Sequence, residues 1–339
     1  MIMRISKFAV VAGLILAIGA SAAAAQAEKP RLTVYTYDSF AGEYGPGAKV
    51  KERFEASCGC TLDYVATDDA GTLLARLKLE GSATSADVVL GLDTNLMAEA
   101  KESKLFAAHD VDAGTLDLPI EWSDDTFIPF DWGWFAFIYD STKHASPPKS
   151  FAELVEAEDG PTLVIEDPRT STPGLGLLLW VREVFGDRAG EVWQKLKPRI
   201  VTVTRGWSEA YGLFLEGEAD MVLSYTTSPA YHISAEKETK YKAAIFDEGH
   251  AMQVEVAGVV ASSKNQDLAR KFLEFMVSEP FQSAIPEGNW MYPAKLPADG
   301  LPPSFADLGK PPKSFMTAPE KVQAERRAWI DEWLAAMSL

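Results

Sequence analysis

Hydroxyl side chains cluster at two places in the chain where an apolar run gives way to a proline. The first, Val164–Gly176, reads VIEDPRTSTPGLG, and the second, Met221–Tyr231, reads MVLSYTTSPAY. Proline is favoured at the first position of a helix, and a helix start presents unpaired backbone N–H groups and a partial positive charge. We therefore predict two strand-to-helix junctions that can accept the anionic or polar end of a ligand.

Several aromatic side chains stand beside predicted turns rather than inside apolar patterns. The faces of aromatic rings attract cations, and a nearby carboxylate lowers the cost of burying a positive charge. Packing within the protein is the commoner role for any single aromatic residue. Their shared placement nevertheless favours a ligand role for Trp207, Tyr225 and Trp290, and such rings beside carboxylates suit a flat, cationic, heteroaromatic ligand with a polar tail. The residues concerned are Tyr44 in EYGPG, Trp207 in RGWSE, Tyr225 and Tyr231 around TTSP, and Trp290 in EGNWMYP.

Motifs for catalysis or metal binding are weak in this sequence. Gly174 and Gly176 begin a dinucleotide-type GxG, but Leu179 stands where the third glycine belongs. The four histidines are scattered, and the sequence has no HExxH, paired CxxC or GxSxG motif. The adjacent acids Asp68-Asp69 and Asp124-Asp125 are more typical of turns and helix caps than of acid–base pairs. We expect no metal site and no cofactor.

Apolar runs alternate with helical patterns along the chain, which predicts an α/β fold. In open α/β sheets, ligands bind beyond the carboxyl ends of the strands, where the polar and aromatic residues above are expected to meet. Tyr292–Pro312 contains six prolines and is predicted to be an extended connection outside the core. Strands are predicted over Leu32–Tyr37, Asp87–Gly91, Phe130–Tyr139, Leu163–Ile165, Met221–Leu223 and Val254–Ala261, and helices over Gly71–Gly81, Leu175–Val184, Trp207–Leu215, Asp267–Val277 and Pro319–Met337.

Residues 1–27 have the form of a signal peptide, with Arg4 and Lys7 before an apolar run and Ala25-Gln26-Ala27 at the end. We expect a mature chain that begins at Glu28 and is exported, without a membrane anchor, to a bacterial periplasm. The net charge of −17 disfavours nucleic acid and anionic lipid as partners. The remaining chain exceeds the usual size of one core, so two lobes are expected.

The two cysteines of the sequence, Cys58 and Cys60, stand one residue apart in SCGC. In an oxidising compartment they could pair, although so short a spacing makes a small, strained ring. A free catalytic thiol is the alternative, but no histidine lies near it in sequence to activate it.

Several long runs are specific enough to compare with known families. They are LTVYTYDSF, ADVVLGLD, DTFIPFDWGWFAFIYD, EDPRTSTPGLGLLLW, VTVTRGWSEAYGLFLEGEADMVLSYTTSPAYH and IPEGNWMYP. Together they closely resemble the periplasmic thiamine-binding proteins, the solute receptors of thiamine ABC importers. The resemblance implies the two-lobed α/β fold of type II periplasmic binding proteins, each lobe a central β-sheet flanked by helices. It further implies a non-enzymatic, monomeric protein that binds thiamine, or its mono- and diphosphate, and delivers it to a membrane permease.

The resemblance also places the ligand contacts. Trp207, Tyr225 and Tyr231 would cover the rings of thiamine, Asp69 would balance charge or accept from the pyrimidine amine, and the Ser171 junction would receive the hydroxyethyl arm or phosphate. Relatives often carry Asp-Gly in place of Asp69-Ala70, so a positive φ at this position would strain Ala70 unless Gly71 restores the turn. The full set is Asp69, Ala70, Ser171, Thr172, Trp207, Tyr225, Thr226, Thr227 and Ser228, with Tyr37, Tyr231 and Trp290 as further aromatic walls.

The chain is expected to pass between the lobes near Pro129–Ala136 and again near His250–Ala257. These crossings predict a first lobe of residues 30–130 and 255–339 and a second lobe of residues 131–254. The ligand would close the lobes by hinge motion.

Two alternatives remain at this point. One is a receptor of the same fold for another cationic small molecule, such as a polyamine. The other is a thiamine-degrading enzyme, which requires a nucleophilic cysteine in the cleft. Cys58 and Cys60 precede the predicted strand Thr61–Val65 instead of following it, which places them at the wrong end of the sheet.

Overall fold

The computed structural model describes residues 29–338, so the predicted signal peptide lies outside the described residues. No helix within residues 29–338 is long and apolar enough to cross a membrane. The strands of this part of the chain are β1 (Arg31–Tyr37), β2 (Thr61–Thr67), β3 (Val88–Asp93), β4 (Phe106–Ala107), β5 (Phe127–Asp140), β6 (Leu163–Glu166), β7 (Ile200–Thr204), β8 (Met221–Tyr225), β9 (Tyr241–Ala243), β10 (His250–Val260), β11 (Tyr292–Pro293) and β12 (Ser314–Phe315).

Helices connect most of these strands. They are α1 (Asp38–Ala41), α2 (Gly47–Cys58), α3 (Ala70–Glu80), α4 (Met97–Glu102), α5 (Phe151–Glu156), α6 (Thr172–Phe185), α7 (Ala189–Leu196), α8 (Trp207–Glu216), α9 (Pro229–Tyr231), α10 (Gln266–Met276), α11 (Glu279–Gln282) and α12 (Pro319–Met337). The strand order β2-β1-β3-β10-β5-β8-β6-β7 mixes parallel and antiparallel pairs. The predicted α/β class is confirmed.

The long strand β5 joins two parts of the sheet. Its first half pairs with β10, and its second half pairs with β8. On one side, β10, β3, β1 and β2 follow in order, and on the other side β8, β6 and β7. Since β5 and β10 span the predicted crossings, they are the natural places for a hinge, but the lobe boundaries themselves stay a prediction.

Helices cover the sheet with large apolar side chains. On the side of β1 and β3, Phe54 of α2 contacts Phe272 of α10 with a centroid separation of 5.0 Å. On the side of β8, Trp180 of α6 is fully buried and contacts Phe246 at 5.3 Å. The helix predicted over Pro319–Met337 has those bounds, and its stripe of Val322, Trp329 and Trp333 is buried.

Two sequence-based expectations are wrong. The stretch Tyr292–Pro312 lies partly in the core, because Phe305 and Leu308 are buried in a cluster with Tyr292, whose ring stacks on Trp132 at 4.7 Å. The second hydroxyl junction opens only the three-residue helix α9, which passes directly into a π-helical turn at His232–Glu236. It therefore lacks the extended helix that would supply a strong positive end.

The open question about the cysteines is settled in favour of pairing, since Cys58 and Cys60 form a disulfide. The bridge lies between the end of α2 and the start of β2. It is therefore at the amino end of the strand, away from the carboxyl ends where the site residues gather.

Candidate functional site

A cavity of about 580 Å³ lies at the carboxyl ends of the strands, and residues from both parts of the sheet line it. We call it the central cavity. This size suits one small-molecule ligand. The predicted site residues that line it are Tyr37, Asp69, Thr172, Trp207, Tyr225, Ser228, Tyr231 and Trp290.

The other four predicted residues, Ala70, Ser171, Thr226 and Thr227, are buried and do not line the cavity. Ser171 caps α6, where its hydroxyl accepts from the backbone N–H of Gly174 at 3.4 Å. Thr226 donates its backbone N–H to the carbonyl of Trp134 at 2.9 Å. These residues support the wall, and their direct contact with a ligand stays a prediction.

The expected backbone strain at Ala70 does not occur. Ala70 is the first residue of α3, and it is not among the described residues with positive φ. The neighbouring Gly71 matters for a different reason, because a Cβ there would lie 2.7 Å from the carbonyl carbon of Thr170. Gly71 thus permits a close approach between α3 and the loop before α6.

Asp69 occupies the point where the starts of α3, α6 and α8 converge. Its carboxylate accepts from the backbone N–H groups of Ala70 at 2.7 Å, Thr172 at 3.2 Å and Trp207 at 3.3 Å. Burial nevertheless raises the pKa of Asp69 to about 6. The first junction is therefore a helix start, as predicted, and the anion that it accepts is supplied by the protein's own Asp69.

Paired aromatic rings form the walls of the cavity. Trp207 stacks on Tyr211 with centroids 4.9 Å apart, and its indole N–H donates to the Ser224 hydroxyl at 2.7 Å. On another wall, Trp290 meets Tyr231 edge to face at 5.4 Å. Trp290 holds a φ of 55°, which is strained for a non-glycine residue and typical of functional loops.

A buried polar network forms the floor. Tyr37 donates its hydroxyl to Glu255 at 2.6 Å, and the side-chain amide of Asn289 donates to Tyr37 at 2.8 Å and to Asp131 at 2.6 Å. The amide of Gln253 donates to Glu255 and to the Tyr225 hydroxyl, both at 3.0 Å. Tyr37 and Tyr225 were predicted from the sequence, whereas the polar residues that hold them were not.

The residues that sequence reasoning missed include Tyr211, Glu255 and Asn289, all of which line the cavity. Glu255 lies inside a strand, whereas the candidate positions in the sequence are those just after strands. A usable signal was present, since an acid interrupts the apolar run VEVAGVV. Tyr211 follows Trp207 by four residues on α8, which puts the two rings on one helix face.

A cavity at the carboxyl ends of the strands, lined from both parts of the sheet, is the geometry expected of a two-lobed solute-binding protein. The chain belongs to the family of bacterial extracellular solute-binding proteins, whose family model matches residues 37–283. The expected class is confirmed.

Within that class, the relatives carry a specific name. Proteins called "Thiamine-binding periplasmic protein" are 57% identical in Salmonella typhimurium over 91% of this chain and 94% of the relative. The protein of that name from Brucella melitensis is 54% identical over 94% of this chain and 95% of the relative. A solved structure called "Periplasmic thiamin binding protein" superposes with a TM-score of 0.90 at 56% identity, covering 92% of this chain and 97% of the other. The resemblance found in the sequence and the type II fold are both confirmed.

Proposed function

We propose that this protein is an extracytoplasmic receptor that binds thiamine in the central cavity and delivers it to the permease of an ABC importer. Two relatives with that name match more than nine-tenths of the chain, at 57% and 54% identity. We further propose that the mature protein is a monomer, resides in the periplasm after cleavage of residues 1–27, and carries out no reaction on its ligand.

One observation carries the choice of ligand: the central cavity is lined by aromatic and acidic side chains and by no basic side chain of the described residues. Of the residues that line it within the described chain, none is Lys, Arg or His. A thiamine molecule presents a permanent thiazolium cation and two flat rings, which such a surface complements. The lining acids are Asp38, Glu43, Asp68, Asp69 and Glu255.

Phosphate esters of thiamine are proposed as further ligands. Their anion would lie at the starts of α6 and α8, where the backbone N–H groups now face Asp69. Two anions this close would share a proton, since burial already raises the pKa of Asp69 to about 6. We expect the ratio of the monophosphate affinity to the thiamine affinity to fall as the pH rises above 6.

The first experiment is native mass spectrometry of the protein freshly purified from the periplasm, which should show retained thiamine or a phosphate of it. Calorimetry of the ligand-free protein should then give a submicromolar dissociation constant, equivalent to at least about 8 kcal/mol of binding free energy. An absence of both heat and thermal shift with thiamine and its phosphates would overturn the proposal.

The alternatives have their own tests. A polyamine receptor would bind spermidine in the same titration, whereas we expect no displacement of thiamine by excess spermidine, because a polyamine has no ring to stack on Trp207 or Trp290. A thiamine-degrading enzyme would release free thiazole from thiamine in the presence of a nucleophilic amine. Detection of that product by mass spectrometry would contradict the receptor assignment.

A further inference from the structure

Three acids stand side by side across three neighbouring strands. Glu255 of β10 pairs in register with Asp93 of β3 on one side and with Asp131 of β5 on the other. Residues in register point to the same face of a sheet. All three are buried, and only Glu255 also lines the central cavity. We call them the acidic row.

The polar contacts of Glu255 and Asp131 come from neutral groups. Glu255 accepts from the Tyr37 hydroxyl and the Gln253 amide, and one oxygen of Asp131 accepts from the Asn289 amide. The other oxygen of Asp131 is buried without a partner. No Lys, Arg or His of residues 29–338 forms an ion pair with either acid.

Such an arrangement is costly if both acids are ionised. Like charges opposite each other on adjacent strands repel, and burial removes the water that would screen them. Carboxylates in this position either share a proton or face a cation. The cavity side of Glu255 is the direction from which a cation can arrive.

We propose that Glu255 is the group that recognises the positive charge of the ligand, and that Glu255 and Asp131 hold a proton between them in the empty protein and release it when the cation binds. The inference rests on the proposed function, because it takes the ligand to be a permanent cation. The exchange is balanced: one cation enters the site and one proton passes to solvent.

The surroundings support a proton on this pair. Burial, and then the charge of Asp131, hold the pKa of Glu255 well above its usual range, and burial does the same for Asp131. The other titratable groups that face Glu255 are Asp93, Asp69 and the hydroxyls of Tyr37 and Tyr225, none of which adds positive charge. Thiamine affinity should therefore rise with pH until the pair is fully ionised.

The first test compares ligands that differ in charge. Glu255→Gln keeps the shape and can still accept from Tyr37, but it removes the carboxylate. Because an ionised partner strengthens cation binding in a buried site, we expect its affinity for thiamine to fall at least about tenfold. The affinity for a thiamine analogue with an uncharged thiophene in place of the thiazolium should change by less than about threefold. Glu325→Gln, the same change at an exposed position on α12, should leave both affinities unaltered.

An equal loss for both ligands in Glu255→Gln would overturn the inference, because it would assign Glu255 a structural role. If thiamine failed to bind the wild-type protein at all, the proposed function would fail instead. The two failures are therefore distinguishable.

The second test uses only the wild-type protein, so it stands even if Glu255→Gln does not fold. Calorimetry of thiamine binding near neutral pH in two buffers of different ionisation enthalpy should show release of a proton, up to one per site. The uncharged analogue should release none. Identical heats for thiamine in the two buffers at every pH between about 6 and 9 would contradict the exchange.

Discussion

Trp207 connects the local backbone with ligand recognition. It is the first residue of α8, where its backbone N–H donates to Asp69, while its ring stacks on Tyr211 and its indole N–H donates to Ser224. These contacts fix the ring before any ligand arrives, so little side-chain entropy is lost on binding.

Replacing Trp207 by Ala should weaken thiamine binding at least about tenfold, since each aromatic face over a cation contributes about 0.5–2 kcal/mol in addition to the apolar area it covers. Trp207→Phe retains a ring but loses the donor to Ser224, and it should lose less affinity. Calorimetric titration of both variants checks the prediction. Equal losses in the two variants would mean that the ring does not contact the ligand.

Site residues at the ends of strands were predictable from the sequence, whereas those in the interior of strands were not. Tyr37 and Tyr225 end their strands, and both line the central cavity. Glu255 and Asp131 sit inside strands whose pairing partners the sequence does not reveal. Their proximity depends on strand order, which local patterns cannot supply.

Among the elements, α3 and the loop before α6 make a close backbone contact beside the cavity. The backbone N–H of Thr72 donates to the carbonyl of Thr170 at 3.1 Å, and the missing side chain of Gly71 permits this distance. Asp69, one residue before α3, depends on the same approach to reach Thr172.

Gly71→Ala should destabilise the protein by about 1–3 kcal/mol, because the added Cβ meets backbone atoms that cannot rotate away. It should also weaken thiamine binding, since it separates Asp69 from the start of α6. Gly212→Ala is the matched control for stability: it lies within α8 with no atom near the added Cβ, and should stabilise by up to about 1 kcal/mol. Urea denaturation compares the two variants, and a stable Gly71→Ala protein would contradict the close approach.

Element boundaries were predictable where an apolar stripe determines them. The apolar stripe of α12 predicted both ends of that helix correctly. By contrast, β10 begins four residues before its predicted start at Val254. Those residues include His250 and Gln253, which are polar and fully buried. His250 accepts from the backbone N–H of Phe246 and donates to the carbonyl of Phe135. These tertiary contacts stabilise a strand that composition alone does not indicate.

For the whole molecule, the connection between the two parts of the sheet and the floor of the cavity are built from the same strands. β5 carries Asp131, and β10 carries Gln253 and Glu255. A ligand that changes the charge of this floor acts directly on the strands at which a hinge is expected. Binding and closure would then be coupled through one set of contacts.

The buried acids also predict how global stability depends on pH. Burial raises the pKa of Asp93 to about 7. An acid with a raised pKa in the folded state binds its proton more tightly there than in the unfolded chain, so stability rises as the pH falls through the folded value. His250 acts in the opposite direction, because burial lowers its pKa to about 4. That effect grows as the unfolded histidine takes up a proton, which is half complete near pH 6.5.

Between pH 8 and pH 6.5 the opposing effect of histidine is the smaller one, because the unfolded imidazole is at most half protonated in this range. The free energy of unfolding of the ligand-free protein should rise by at least about 0.5 kcal/mol over this range, as measured by urea denaturation. Asp93→Asn should reduce the rise, whatever its effect on absolute stability, whereas Asp299→Asn, at an exposed position, should not. A rise that persists unchanged in Asp93→Asn would show that Asp93 is already ionised in the folded protein at pH 6.5, because only an acid that is more protonated in the folded state than in the unfolded chain contributes to the slope.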